Sequence, residues 1–507
     1  MADAEESPEH AAVLRRLEEQ AYKEYPHEKA DQPTVHGYRI NPTSSRALGP
    51  LLRCFARLAF VLFRLPILLL CLALLVVGFL PRLVWVLVIA LLISLAFDKY
   101  FLHWLTSGRT GLGGLDANPG IHYKPTTRNK RIVERLSHFA GYRPPPFLFG
   151  GDWLTIAPYL LNKGSVGGRV RYQRWWVRVN KAPGPDGEDG PTRRPTGQDD
   201  DEFCALDISF PPGGFRKDRP VFLILHGLNG GSTEPYVLDT VRRANREGST
   251  ACVFIARGLM KTHVKGDHMF NGSRTSDVGA AIDLLLYAFG GESRDSPRPL
   301  ATNIILVGFS MGAITAGNYT AKAKEKSGLA GTVCFSGALS AVRQLDPKLK
   351  GYSDAVWQPI LAWALKYLLV KRNTTKIARS GLVKAEDVER ASSITDLDKV
   401  VIVPLNGYRD VEHYYEDMCA GGRGDADGVK KLAGTAMPML CVHAVDDPVT
   451  LYETCLAPQA KETDNVLILT TVHGGHIGWP QGWRPSLKRW DFMVDISMTF
   501  AAAVCEV

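Results

Sequence analysis

The stretch NIILVGFSMGAITAGNYTA, residues 303–321, runs from strand formers through a glycine turn into helix formers. At its centre Ser310 stands between Gly308 and Gly312, a G-x-S-x-G pattern set between a strand and a helix. That turn is so tight that the residues flanking the serine must be small. It lifts the hydroxyl above the sheet and sets it at a helix N-terminus. The pattern therefore predicts a nucleophile at Ser310 rather than a surface hydroxyl in an ordinary turn.

Outward from this point the pattern is regular. Short unbroken apolar runs recur at 221–227, 251–258, 303–310, 331–338, 438–447 and 465–476. Runs of this length, rich in β-branched residues, fit strands buried on both faces, as in a parallel sheet. Helical segments at 236–247, 276–289 and 312–325 lie between them, so the fold class is α/β with an open, mostly parallel sheet. The interval from about 340 to 436 breaks the rhythm. It contains WQPILAWALKYLL, and is expected to form a helical cap over the carboxyl ends of the strands.

Ligands of such a sheet bind beyond the carboxyl ends of its strands, and the expected chemistry is gathered there. An activated serine needs a base, and the base needs an orienting acid. The last strand run ends in VHGGHIGW, where His476 is the base candidate and His473, nearer the strand, is expected to be structural. The run before it ends in HAVDDPVT, where Asp446 is the acid candidate and Asp447 its competitor, because register within a turn is uncertain by a residue. Backbone amides of Leu228, in HGLNGGS, and of Met311 are the candidates for receiving an oxyanion. His226 in the same loop is expected to hold it by hydrogen bonds. No metal-spaced cluster or phosphate loop occurs, and no cofactor is required.

Length and composition frame this reading. A chain of 507 residues fits one large domain with attachments, or two or three small ones. The net charge of +8 is spread along the chain, which points at most to anionic membrane surfaces and not to nucleic acid. The nine cysteines form no C-x-x-C pair and several lie in strand-like runs, so buried thiols are expected instead of a disulfide framework or zinc site. Residues 1–47 form a polar tail. Two uncharged runs follow, 65–80 and 83–97, separated by Pro81 and Arg82. A spanning helix needs about 20 apolar residues. Residues 48–105 therefore read as a membrane anchor, either one kinked span or a helical hairpin. Arg46, Arg53, Arg57 and Arg64 keep its N-terminal flank cytoplasmic. One span would then make the rest lumenal, whereas a hairpin would return it to the cytosol. Asn271, Asn318 and Asn373 each begin a glycosylation tripeptide. Residues 180–202 are rich in Pro, Gly and Asp and read as a disordered insertion between two strands.

FLILHGLNGGSTEPYV, LVGFSMGA, HAVDDP and HGGHIGW together resemble the α/β-hydrolase family. The likeness is nearer to its membrane-anchored medium-chain esterase branch, which holds the α/β-hydrolase-domain types one to three, yeast ethanol acyltransferases and plant embryogenesis-associated proteins. FLFGGDWLTIAPYL, FNGSRTSDVGAAID and LNGYRDVEHYYED, with Tyr414 and Tyr415, are similar to segments of that branch, and the resemblance runs from about residue 120 to 507. It implies an α/β-hydrolase fold, a Ser310–Asp446–His476 triad, medium-chain or lipid acyl esters as substrates, and residence at a membrane, usually the endoplasmic reticulum. Departures are Ala313 where glycine is frequent, Asp152 where histidine is frequent, and a long, charged ARGLMKTHVKGDHM segment. The last two bear on the acyl pocket. An alcohol O-acyltransferase, a thioesterase or an inactive tethered binding protein would share most of these features. The H-x-x-x-x-D signature of lysophospholipid acylation is absent.

Overall fold

The computed structural model describes residues 7–26 and 119–506, apart from 147, 149, 162–169, 180–201, 229, 261, 263, 265–269, 298, 299, 350, 351, 371 and 372. The expected anchor at 48–105 and nearly all of the insertion at 180–202 lie outside the described residues. Among the described residues no helix is long and apolar enough to cross a membrane.

Each of the six apolar runs is a strand. They are β5 (Val221–Leu225), β6 (Ala251–Ile255), β7 (Ile304–Phe309), β8 (Gly331–Phe335), β9 (Met439–Ala444) and β10 (Val466–Thr471). Every residue of these strands is buried, as continuous apolar runs require when both faces of a sheet are covered. They lie in the order β6-β5-β7-β8-β9-β10, all parallel. Parallel neighbours need crossovers. Helices Pro235–Arg246, Ser276–Gly290 and Met311–Ala323 supply three of them, within a residue or two of the segments expected from sequence.

Four more strands, β1 (Ala21–Tyr22), β2 (Gly120–His122), β3 (Gln173–Val179) and β4 (Glu202–Ser209), widen the sheet antiparallel. The full order is β1-β3-β4-β6-β5-β7-β8-β9-β10-β2. The arrangement is a mostly parallel, mixed sheet with helices on both faces. The described part of the polar tail was not expected to take part. Helix Pro8–Gln20 nevertheless packs on helix Ser276–Gly290, and β1 adds an edge strand beyond β3.

Between β8 and β9 the chain forms helices including Tyr352–Leu365, Asp398–Ile402 and Val411–Met418. Val401, Tyr414, Tyr415 and Met418 join the same apolar core as Phe309 and Phe335. These helices are thereby fixed over the end of the sheet where β7 delivers Ser310. Of the cysteines, Cys204, Cys252, Cys334, Cys419, Cys441 and Cys455 are free and buried.

Candidate active site

Ser310 takes φ +52° and ψ −119°, a backbone region that L-residues rarely occupy. Its neighbours explain how the chain tolerates this. A Cβ on Gly312 would strike the carbonyl oxygens of Leu225 and His226, and one on Gly308 would strike the backbone of Gly312 and Ala313. The serine is also tied to the sheet, its amide donating to the Phe335 carbonyl at 2.8 Å. Ala313, which departs from the family pattern, fits because Gly337 faces it. A Cβ at 337 would collide with the Ala313 methyl.

The hydroxyl points at a histidine. Ser310 Oγ lies 2.8 Å from His476 Nε2. On the other side of the ring, His476 Nδ1 lies 2.9 and 3.1 Å from the two carboxylate oxygens of Asp447. Asp447 also accepts the amides of Val449 and Thr450, each at 2.9 Å. Burial pushes its carboxyl upward, but His476, through charge and hydrogen bonding, together with His443 and the Thr450 amide, holds it below the usual carboxylate range. An acceptor-only carboxylate on Nδ1 sets the tautomer that leaves Nε2 free to take a proton.

The acid chosen from sequence is not the one that meets this histidine. Asp446 instead contacts His473, Oδ2 to Nδ1 at 3.1 Å, and accepts the Gly475 amide at 2.9 Å. The two adjacent carboxylates leave β9 in different directions. Asp447 is fully buried beneath the His476 ring, whereas Asp446 faces the half-exposed His473. His473 is thus a structural partner, and Asp447 takes the position expected of Asp446.

Leu228 and Met311 both line the cavity at Ser310. Met311 is the first residue of its helix, where amides have no acceptor within the helix. His226 serves the loop instead of the chemistry. Its Nδ1 donates to the Gly227 carbonyl at 2.8 Å, and its Nε2 accepts the Ala256 amide at 3.4 Å. Burial lowers its pKa, and the ring is locked between two backbone groups.

A support for the site went unread in the sequence. Helix Gly150–Leu161 carries Thr155, whose Oγ accepts the His476 amide at 2.7 Å and donates to the Gly151 carbonyl at 2.6 Å. Gly151 lies against the Asp446 backbone and Gly475 against helix Gly150–Leu161, both so closely that neither leaves room for a Cβ. The GGDW segment is therefore the floor on which the histidine loop rests. Asp152 hydrogen-bonds the Trp357 indole, and burial raises its carboxyl to about 6 against that bond.

The cavity above Ser310 has a volume of about 220 Å³. Leu228, Met311, Ile314, Leu361 and Met418 give it apolar walls, while Glu234 and Asp398 add carboxyls. Burial raises both carboxyls to about 7, with the Tyr415 hydroxyl, 2.8 Å from Asp398, opposing the rise there. Among the described residues no group of His, Cys, Asp or Glu is placed to hold a metal ion.

No protein-family model matches the chain. Curated proteins do. A monoacylglycerol lipase of Saccharomyces cerevisiae is 25% identical over 268 residues, 52% of this chain and 55% of that protein. Phospholipase ABHD3 of Mus musculus is 25% identical over 57% of this chain and 64% of its own length. Embryogenesis-associated protein EMB8 of Picea glauca is 25% identical over 52% of this chain and 54% of its own length. These relatives make the chain similar to lipid hydrolases and abhydrolase-domain proteins. The chain spans between about half and two thirds of the length of these curated relatives. Among solved structures, the match to a Pyrobaculum calidifontis esterase covers 69% of this chain and 91% of that one, at 14% identity and a TM-score of 0.39. That superposition is too loose to add to the sequence matches.

Proposed function

We propose that this chain is a serine hydrolase of acyl esters, with Ser310 as nucleophile, His476 as base and Asp447 as the group that orients and stabilises the imidazole. One observation carries the reading: Ser310 Oγ, His476 and the Asp447 carboxylate form an unbroken hydrogen-bonded line at 2.8 and 2.9 Å. The relatives named monoacylglycerol lipase and phospholipase support esters of lipids as the substrate class.

In this mechanism His476 Nε2 takes the Ser310 proton as Oγ attacks the ester carbonyl. The amides of Leu228 and Met311 receive the oxyanion, a contribution typically worth about 3 kcal/mol per donor. His476 then gives its proton to the departing alcohol, leaving an acyl-enzyme on Ser310. Water, deprotonated by the same ring, releases the acid and restores the serine. The apolar walls suit an acyl chain, and Glu234 and Asp398 suit polar atoms of the alcohol portion. Residence at a membrane such as the endoplasmic reticulum, through residues 48–105, would keep the site beside its lipid source.

The test uses the full chain, nitrophenyl esters of increasing acyl length and a fluorophosphonate label. Turnover and labelling that both disappear in Ser310→Ala support the reading. A wild-type chain that neither turns over any ester nor takes the label overturns it.

A further inference from the structure

The described part of the N-terminal tail is built into the hydrolase domain. Helix Pro8–Gln20 starts at an N-cap, Ser7, whose hydroxyl oxygen accepts the His10 amide at 3.2 Å, with Pro8 in the first turn. Val13, Leu17 and Ala21, spaced four apart, form one apolar stripe and are all buried. They share a core with Leu284, Ala288 and Phe289 of helix Ser276–Gly290.

Polar contacts fix the same docking. Arg16 donates to the Ala288 carbonyl at 3.1 Å, the Tyr287 hydroxyl donates to Glu19, and the Phe215 amide donates to His10 Nδ1 at 3.3 Å. The His10 ring meets Phe210 edge-on at 4.5 Å. The chain then enters the sheet, with Ala21 opposite Val177 and Tyr22 opposite Trp176, and Tyr25 closes against Trp176 at 4.8 Å.

This has a topological consequence. β1 precedes the uncharged runs at 65–80 and 83–97, and β2 follows them. Both are strands of one hydrogen-bonded sheet, at its two opposite edges. A single sheet cannot have a bilayer between two of its strands, because every strand is paired through neighbours to all the others. A chain that leaves this sheet at β1 and rejoins it at β2 must therefore cross a membrane an even number of times.

We propose that the N-terminal helix and the Ser310 site lie on the same face of the membrane, and that the two apolar runs enter and leave by that face. This selects the hairpin over the single span. Arg46, Arg53, Arg57 and Arg64 then assign the shared face to the cytosol. The glycosylation tripeptides do not argue for a lumenal domain. The side chains of Asn271, Asn318 and Asn373 are all buried, and Asn271 and Asn318 donate to Asn406 Oδ1 and the Asp417 carbonyl at 2.7 and 2.9 Å. The inference rests on the docking of residues 7–26 and on the reading of residues 48–105 as a membrane anchor, and holds whatever the site hydrolyses.

The experiment places one epitope tag before Met1 and another after Val507, treats sealed, unextracted microsomes with protease, and extracts a separate portion of the same microsomes with a carbonate wash. Both tags are expected to be cut without detergent. One tag cut and the other protected overturns the proposal, as does a chain that the carbonate wash removes entirely. Both tags protected overturns the cytosolic assignment. A second measurement inserts a protease site between residues 27 and 47 and cuts it in mild detergent. The N-terminal fragment is expected to stay with the domain through a native pull-down. It should be released by the Val13→Asp, Leu17→Asp double variant. Release of the wild-type fragment at the same rate overturns the docking on which the topology depends.

Discussion

Asp447 Oδ2 lies 2.9 Å from His476 Nδ1, while its neighbour Asp446 turns to the other histidine of the same loop, 3.1 Å from His473 Nδ1. Adjacent carboxylates with separate partners give a clean comparison. Asp447→Asn would present an amide to Nδ1, favouring the wrong tautomer, and is expected to lower kcat by ~10³–10⁴-fold. Asp446→Asn keeps an acceptor for the Gly475 amide, and is expected to leave kcat within about tenfold of wild type. Steady-state kinetics on one ester measures both. Equal losses in the two variants would mean that Asp447 is not the acid that orients His476.

How far the sequence reaches is visible in this same pair. The six buried strands were legible because continuous runs of β-branched residues have few other uses. The elbow was legible because Gly308 and Gly312 have no substitutes. The choice between Asp446 and Asp447 was not, since two identical side chains in a turn differ only in the direction that the tertiary fold imposes on them. The brace from Thr155 to the His476 amide joins residues far apart in the chain, and nothing local marks it. The N-terminal helix did leave a trace in the four-residue spacing of Val13, Leu17 and Ala21. It was hidden because Glu9, Arg15, Arg16, Glu18, Glu19 and Gln20 make the helix charged and polar on average, and burial on one narrow stripe suffices to dock it.

Thr155→Val tests the brace. The substitution keeps the shape but leaves the buried His476 amide without its 2.7 Å acceptor. Loss of a buried partner costs roughly 1–3 kcal/mol. Thermal unfolding should report that loss, and kcat should fall while KM changes little, because the acyl cavity is not lined by Thr155. Thr155→Ser, which restores the hydroxyl, should recover most of the rate. A variant with wild-type kcat would show that the histidine loop holds its position without this bond.

The elbow glycines make a separate prediction about folding. Gly312→Ala drives a methyl into the Leu225 and His226 carbonyls, which belong to backbone and cannot swing away. A destabilisation of about 3 kcal/mol, at the upper end for overpacking, or failure to fold is expected. Gly141→Ala is the control, since nothing lies within 4 Å of the added methyl there. Denaturant midpoints of the two variants should differ widely, and equal midpoints would contradict the close packing of β5 on the elbow.

The buried carboxyl of Asp398 predicts a slope of stability with pH. Its pKa is raised to about 7 by burial, against the hydrogen bond from Tyr415, so the folded chain holds a proton that the unfolded chain releases near pH 4. Between those values the native state binds more protons than the unfolded state, and stability falls as pH rises. The contribution of this one group approaches about 1.4 kcal/mol per pH unit and levels off above pH 7. Asp398→Asn still accepts the Tyr415 hydroxyl but carries no titrating proton. The stability of this variant relative to wild type should therefore climb from pH 5 to pH 7 and stay constant from pH 7.5 to 9. Urea midpoints across that range measure it, and a difference that does not change with pH would mean that Asp398 is ionised in the native cavity.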